Sequence, residues 1–445
     1  MYHVTNSSER APHHTATDTV EFRFPPSFPW RIHCLRSATT TVRSGRPPGR
    51  RIFTGYKTFQ VGAPNCPYSE QWNRIPVLDP LTNRAAQGEE MSEGSFRAYL
   101  AHGSRKISVL SFSPTSGKMV QLQDVVVNGD DIPEDVRAGR FMALAVSPDR
   151  RFLYATNRTA PYSFRSFAID GTDGTLTYLG DAPAVESSPY ITTDRTGRFL
   201  LAAYNPPDRR RRTGFVSVSA INDGFIQPPH QVIHTPPKTH GILPDASNRF
   251  VLAPACDGDV LVRFIFDEAT GLLNPNELAP IVVRPESGPR HFVFHASNRY
   301  LYMLNEYDGS IYAYSFDPRD GAMSEIQIAS VRPADVDKDV NPRAGDLRIT
   351  PDGKWLYAAV RVNCTIAAFA VDQITGRLTP AGHFPVDKEP RGFNIDPFGR
   401  YLIANGLMTN TAVTYEIDQS TGALTRVAET PTMEDPNWIE FVRLP

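Results

Sequence analysis

One pattern recurs six times between residues 139 and 430 and leaves few folds open to this chain. Each copy has a short apolar strand, a turn, a basic residue, an aromatic anchor and a second apolar run. ALAVSPDRRFLYATN, FVFHASNRYLYMLNE and LRITPDGKWLYAAVR are three of the copies. The anchors are Phe152, Phe199, Phe250, Tyr300, Trp355 and Tyr401, spaced 47, 51, 50, 55 and 46 residues apart. A third strand follows, then an Asp-led turn with a glycine, as in DEATGLLN, DPRDGAMS and DQSTGALT. Four strands at this period make one propeller blade, which buries both faces of its sheet only by stacking on neighbours. The 39 prolines and 30 glycines supply the chain reversals such a ring needs. Strands that alternate apolar and polar residues are expected between them.

The two ends complete a seventh blade. Residues 96–123 read as strands two, three and four, and NWIEFVRLP at the C-terminus reads as the missing first strand. The expected fold is therefore all-β, a seven-bladed β-propeller closed by N- and C-terminal strands that share one blade. Such closure leaves no free sheet edge.

Residues 1–90 differ from residues 91–445. No acidic residue occurs from Arg23 to Ser69, and no period of 2 or 3.6 is sustained. The segment carries 11 Lys plus Arg against 7 Asp plus Glu, and the remainder 35 against 41. Such a composition buries too little apolar surface to offset chain entropy. It is expected to be a mostly disordered basic extension, or to lie outside a mature protein whose translation starts at Met91. A transit peptide is the third reading, weakened by Glu9, Asp18 and Glu21 and by the lack of an amphipathic helix.

The net charge of −2 argues against a general nucleic-acid or membrane-surface binder. No run approaches the roughly 18 apolar residues of a membrane-spanning helix. Cys34, Cys66, Cys256 and Cys364 are too sparse for a disulfide scaffold and lack zinc spacing. No phosphate loop, nucleophile elbow or convergent calcium-binding acids are present. A cytoplasmic protein with no cofactor or metal, working as a monomer or weak homo-oligomer, is expected.

Chemistry must then come from polar residues at the rim where inner strands begin, since a propeller alone fixes no function. His240, Arg290 and Arg391 stand at such joints, and Glu306 follows a second strand that ends at the same rim. Arginine forks suit a carboxylate, a phosphate or a developing oxyanion, and a histidine can carry a proton. His291 and His295 are read instead as a blade-interface and a turn histidine. Tyr204, Asn205, Arg212, Arg361 and Asn405, at comparable rim positions, are candidate substrate contacts. The basic loop NPPDRRRRTG could place an arginine on a substrate phosphate or form a solvated charge cluster.

From Met91 onward the chain resembles the seven-bladed propeller lactonases, which include bacterial 6-phosphogluconolactonases and the fungal carboxymuconate lactonising enzyme. The motifs GPRHFVFHASNRYLYMLNE, DLRITPDGKWLYA and EPRGFNIDPFGRYLIANG carry the resemblance. The basic segment before Met91 and the long arginine loop depart from the family pattern. The resemblance implies metal-independent hydrolysis of a sugar lactone, with 6-phosphogluconolactone as the expected substrate. The family's proposed active-site residues fall on His240, Arg290, Glu306 and Arg391, with His240 as general base and Glu306 orienting it or the water. A cycloisomerase using the same residues on an enolate, and a non-enzymatic binding scaffold, are the alternatives.

Overall fold

The computed structural model describes residues 96–103, 106–127, 141–333 and 340–444, so the expectation for residues 1–90 falls outside it. The described residues form seven antiparallel sheets, each with four main strands. Six sheets take those strands consecutively from the chain, as in Pro289–Phe294, Tyr300–Asn305, Ser310–Phe316 and Met323–Ser330. One sheet gains a short fifth strand, Ile281–Val282. In the seventh, Trp438–Arg443 pairs with Phe96–Ala101, from Ala101 opposite Trp438 to Phe96 opposite Arg443. The shared blade read from the two ends is therefore the observed closure. No helix among the described residues is long and apolar enough to cross a membrane.

Burial follows from stacking. The second strands Phe199–Tyr204, Phe250–Ala255, Tyr300–Asn305, Trp355–Val360 and Tyr401–Gly406 are buried along their whole length. Their sequences are accordingly apolar except at the strand ends, where Asn305 and Asn405 stand, because a neighbouring blade covers each face. Partial alternation appears in third strands such as Ser163–Ile169 and in outer strands such as Met119–Val126, where one side meets water. The alternating pattern expected of all strands thus fails in the second strands, which are buried on both faces.

The aromatic anchor marks the joint between blades. The Phe199 ring packs on Gly271, whose φ is +68°, and Trp355 packs on Gly422 at +71°. A Cβ added at these glycines would lie 2.2 and 2.3 Å from the rings, so space and backbone both require glycine there. Phe152, Phe250, Tyr300 and Tyr401 meet Gly224, Gly321, Gly376 and Gly117 in the same way, and Arg97 meets Gly174 at the seventh joint. In five of the seven turns the opening Asp accepts backbone N–H groups, as Asp372 Oδ1 does from Ile374 (2.9 Å) and Thr375 (2.8 Å). The repeat period is thus the repeat of one inter-blade contact.

Candidate active site

The site is assembled from the residues that open the innermost strands. His240, Arg290 and Arg391 each stand ten residues before their blade's anchor, namely Phe250, Tyr300 and Tyr401. Strand register slips between Pro289 and His291, between Ala344 and Leu347, and between Pro390 and Phe393. A bulge re-aims the side chains it carries. Here the bulges hold Arg290, Asp346 and Arg391. The resulting pocket, about 320 Å³ including its open mouth, is lined by Arg158, His240, Arg290, His291 and Arg391. Phe141, Met142, Pro189 and Trp438 form its apolar wall.

Glu306 sits behind this lining as the hub of the charges. Its Oε2 lies 3.0 Å from Lys238 Nζ and 3.4 Å from Arg290 Nε, and its Oε1 lies 2.8 Å from Arg361 Nη2. Burial alone would raise its pKa, but the three cations hold it well below the usual carboxylate range. Both oxygens are thus committed to cations. This differs from the expectation that Glu306 orients His240 or a water. Arg290 is anchored further through a hydrogen bond from Nη1 to the Gly345 carbonyl.

Arg391 lies with its guanidinium carbon 3.4 Å from the Phe141 ring centroid, a cation–π contact. Burial, then Arg290, Arg361 and Arg158, push its pKa well below the ordinary arginine value. Arg158 donates from Nε to Ser187 Oγ at 3.0 Å, and burial and Arg290 lower its pKa to about 10. Among the described residues neither arginine has a carboxylate partner within ion-pair distance. The pocket therefore holds positive charge in excess of its acids.

Two imidazoles face each other across the same pocket, with ring centroids 5.3 Å apart. His240 is held neutral by burial, then by Arg290, His291, Lys238 and Arg391, and its buried Nδ1 has no partner. His291, read from sequence as a structural interface residue, instead lines the pocket and bonds through Nδ1 to Asp346 Oδ1 at 2.8 Å.

The remaining candidates divide. Arg361 belongs to the cluster through Glu306, and its Nε donates to the Arg343 carbonyl at 2.5 Å. Tyr204 is fully buried in the blade stack, and its hydroxyl shares a 2.7 Å bond with Ser217, so it does not line the pocket. Asn205 is half-buried outside the lining. Arg212 is exposed in the basic loop, where Arg210 pairs with Asp208 (2.9 Å) and Arg211 with Glu186 (2.8 Å). Its neighbours' local pairing matches a solvated cluster. Asn405 is buried with neither amide atom partnered, and it too is absent from the lining. Sequence reasoning missed Arg158, Lys238, Asp346 and the pocket role of His291. For His291 and Asp346 the signal was available, since each stands nine residues before its anchor, Tyr300 and Trp355.

Residues 98–441 match the family model described as lactonase, 7-bladed beta-propeller. The chain belongs to the seven-bladed propeller lactonase family. The 6-phosphogluconolactonase of Cronobacter sakazakii is 34% identical over 258 residues, 58% of this chain and 74% of that protein. A solved Bacteroides fragilis structure matches with a TM-score of 0.69 at 25% identity, covering 80% of this chain and all of that one. The Pseudomonas aeruginosa periplasmic gluconolactonase matches with a TM-score of 0.68 over 79% of this chain and 99% of its own, and at 21% identity it supports the fold alone. The lactonase fold expected from the motifs is thus shared by relatives in sequence and in structure.

Proposed function

We propose that this lactonase hydrolyses 6-phospho-D-glucono-1,5-lactone to 6-phosphogluconate, acting in the cytoplasm as a monomer or weak oligomer. The observation that carries the reading is the convergence of Arg290, Arg391 and Arg158 with two neutral imidazoles on one pocket, two of those arginines lacking a carboxylate. Arg290 and Arg391 polarise the lactone carbonyl and stabilise the tetrahedral oxyanion. Glu306 keeps Arg290 in place rather than touching the reacting atoms. A neutral imidazole accepts the proton of the attacking water. Arg158, with Ser187 beside it, is the cation left for the substrate's phosphate. The curated relative's name supports this substrate.

Arg391→Ala tests the oxyanion role with little risk to the fold, because the removed guanidinium leaves no carboxylate unpaired. Its kcat/KM, corrected for spontaneous ring opening, should fall by about 100-fold or more, the usual cost of one oxyanion donor. The melting temperature should stay level or rise. A folded variant within about threefold of the parent would remove Arg391 from the mechanism.

A further inference from the structure

We propose that His291, oriented by Asp346, is the general base and then the general acid of lactone opening, and that His240 is not. The assignment rests on the lactone-hydrolysis reading and names the group that moves its proton.

Geometry separates the two imidazoles. A general base needs a fixed tautomer with its lone pair toward the substrate, and an acidic partner on the other ring nitrogen supplies this. His291 has that partner, because the Asp346 carboxylate takes its Nδ1–H at 2.8 Å. Asp346 is itself fixed, accepting the Leu347 backbone N–H at 2.9 Å and lying 3.4 Å from Arg348. Its pKa, which burial would raise, is kept well below the usual carboxylate range by Arg348 and His291. Nε2 of His291 is thereby left as the acceptor. His240 has no such partner at Nδ1, so nothing fixes its tautomer.

The lone pair of His291 is also in the right place. Nε2 accepts a hydrogen bond at 3.3 Å from Nη1 of Arg290, the arginine assigned to the oxyanion, so a carbonyl oxygen that draws this N–H to itself releases the Nε2 lone pair for the water. A lactone carbonyl on Arg290 and its attacking water on Nε2 would therefore occupy adjacent points of the pocket. In the first step the water oxygen bonds to the carbonyl carbon while Nε2 takes one water proton. The carbonyl π pair becomes the oxyanion. In the second step that pair re-forms the carbonyl and the ring C–O bond breaks. The ring oxygen then takes the proton back from Nε2. The new carboxylic acid loses its own proton to solvent, and His291 is returned neutral.

The groups around His291 set the pH dependence. Arg290 lies on its own strand and Asp346 and Arg348 on the next blade's inner strand. His240, Tyr190 and Trp438 pack against the ring from three other blades. Burial and then Arg290 lower the His291 pKa to about 4, with Asp346 opposing them. The base is consequently free at neutral pH and is lost as the pH falls through that region.

The test measures kcat/KM for 6-phosphogluconolactone from neutral pH down the acid limb, for the parent, H291Q, H240Q and D346N. Spontaneous opening is subtracted and folding is checked by circular dichroism. In the parent, activity should fall with a midpoint near 4. H291Q should lose about 100- to 10,000-fold in kcat, the range for general acid–base catalysis, and should lose that limb. D346N should lower kcat about tenfold or more and move the midpoint down, because the carboxylate that stabilises the imidazolium is gone. H240Q should keep the limb. A folded H291Q within threefold of the parent, or an H240Q that lacks a limb H291Q retains, overturns the assignment and leaves the lactonase reading standing. Should H291Q not fold, D346N decides, and an unchanged midpoint with unchanged kcat overturns the proposal. A parent that opens no lactone overturns the functional reading and this assignment together.

Discussion

Deletion of Asn437–Pro445 should abolish cooperative folding of the ring rather than fray one end. Trp438–Arg443 is the inner strand of the shared blade and covers Phe96–Ala101, which is buried over its full length. Its loss would expose an apolar strand edge, which is a template for aggregation. It would also strip Asn437 and Trp438 from the pocket and take the Asn437 Oδ1 that accepts the Met142 N–H at 3.0 Å. Full burial of each large apolar side chain is worth roughly 1.5–3 kcal/mol, so losing Trp438, Ile439 and Val442 removes a large part of a typical domain's stability. Thermal melts should show a broad transition or none, and light scattering should show association. A truncated protein melting with the parent's midpoint and sharpness would show that the ring does not depend on this closure.

Glu306→Gln should carry the second large effect. The change leaves Lys238, Arg290 and Arg361 clustered without their shared carboxylate. Breaking a buried ion pair by removing one partner costs about 3–5 kcal/mol, because the remaining charge is left uncompensated. Activity should fall as well, since Arg290 loses an anchor. The pH dependence has a definite sign. The folded-state pKa of Glu306 lies below its unfolded value, so its contribution is full above about pH 4.3 and is lost as the pH falls below that. The stability gap between parent and E306Q should therefore be constant from pH 6 to 8, taken as roughly neutral conditions, and close on acidification. Urea titrations at several pH values measure it. A gap under about 0.5 kcal/mol at neutral pH would mean that Glu306 is not the hub of the cluster.

The sequence disclosed the ring because its period is physical. A left-handed glycine recurs at all seven joints between blades and an aromatic anchor at six of them, and both are visible in one dimension, as are the terminal strands. The arginines and His240 were equally legible, because the start of an inner strand sits at a fixed distance before its anchor. What escaped was whatever depended on contact across blades. The rim positions of His291 and Asp346 were legible, but their pairing across blades was not, because no local motif joins residues 55 positions apart. Lys238 reaches Glu306 from 68 positions away and sits at φ +58°, a conformation its sequence does not announce. Tyr204 was misplaced for a different reason. Strand parity turns its side chain into the blade stack, toward Ser217, although its position in the chain is at the rim. The arginine loop drew notice by its charge, yet Arg210 and Arg211 are spent on nearby acids.

The central claim, that these residues converge to open a phosphorylated sugar lactone, is tested most directly by rate measurement on three substrates. The purified protein is assayed with 6-phosphogluconolactone, unphosphorylated gluconolactone and a carboxymuconate, against spontaneous rates in matched buffer. The account predicts acceleration of both lactones, with the higher kcat/KM for the phosphorylated one, and no turnover of the muconate. No acceleration over the spontaneous rate, or turnover of the muconate alone, would contradict it.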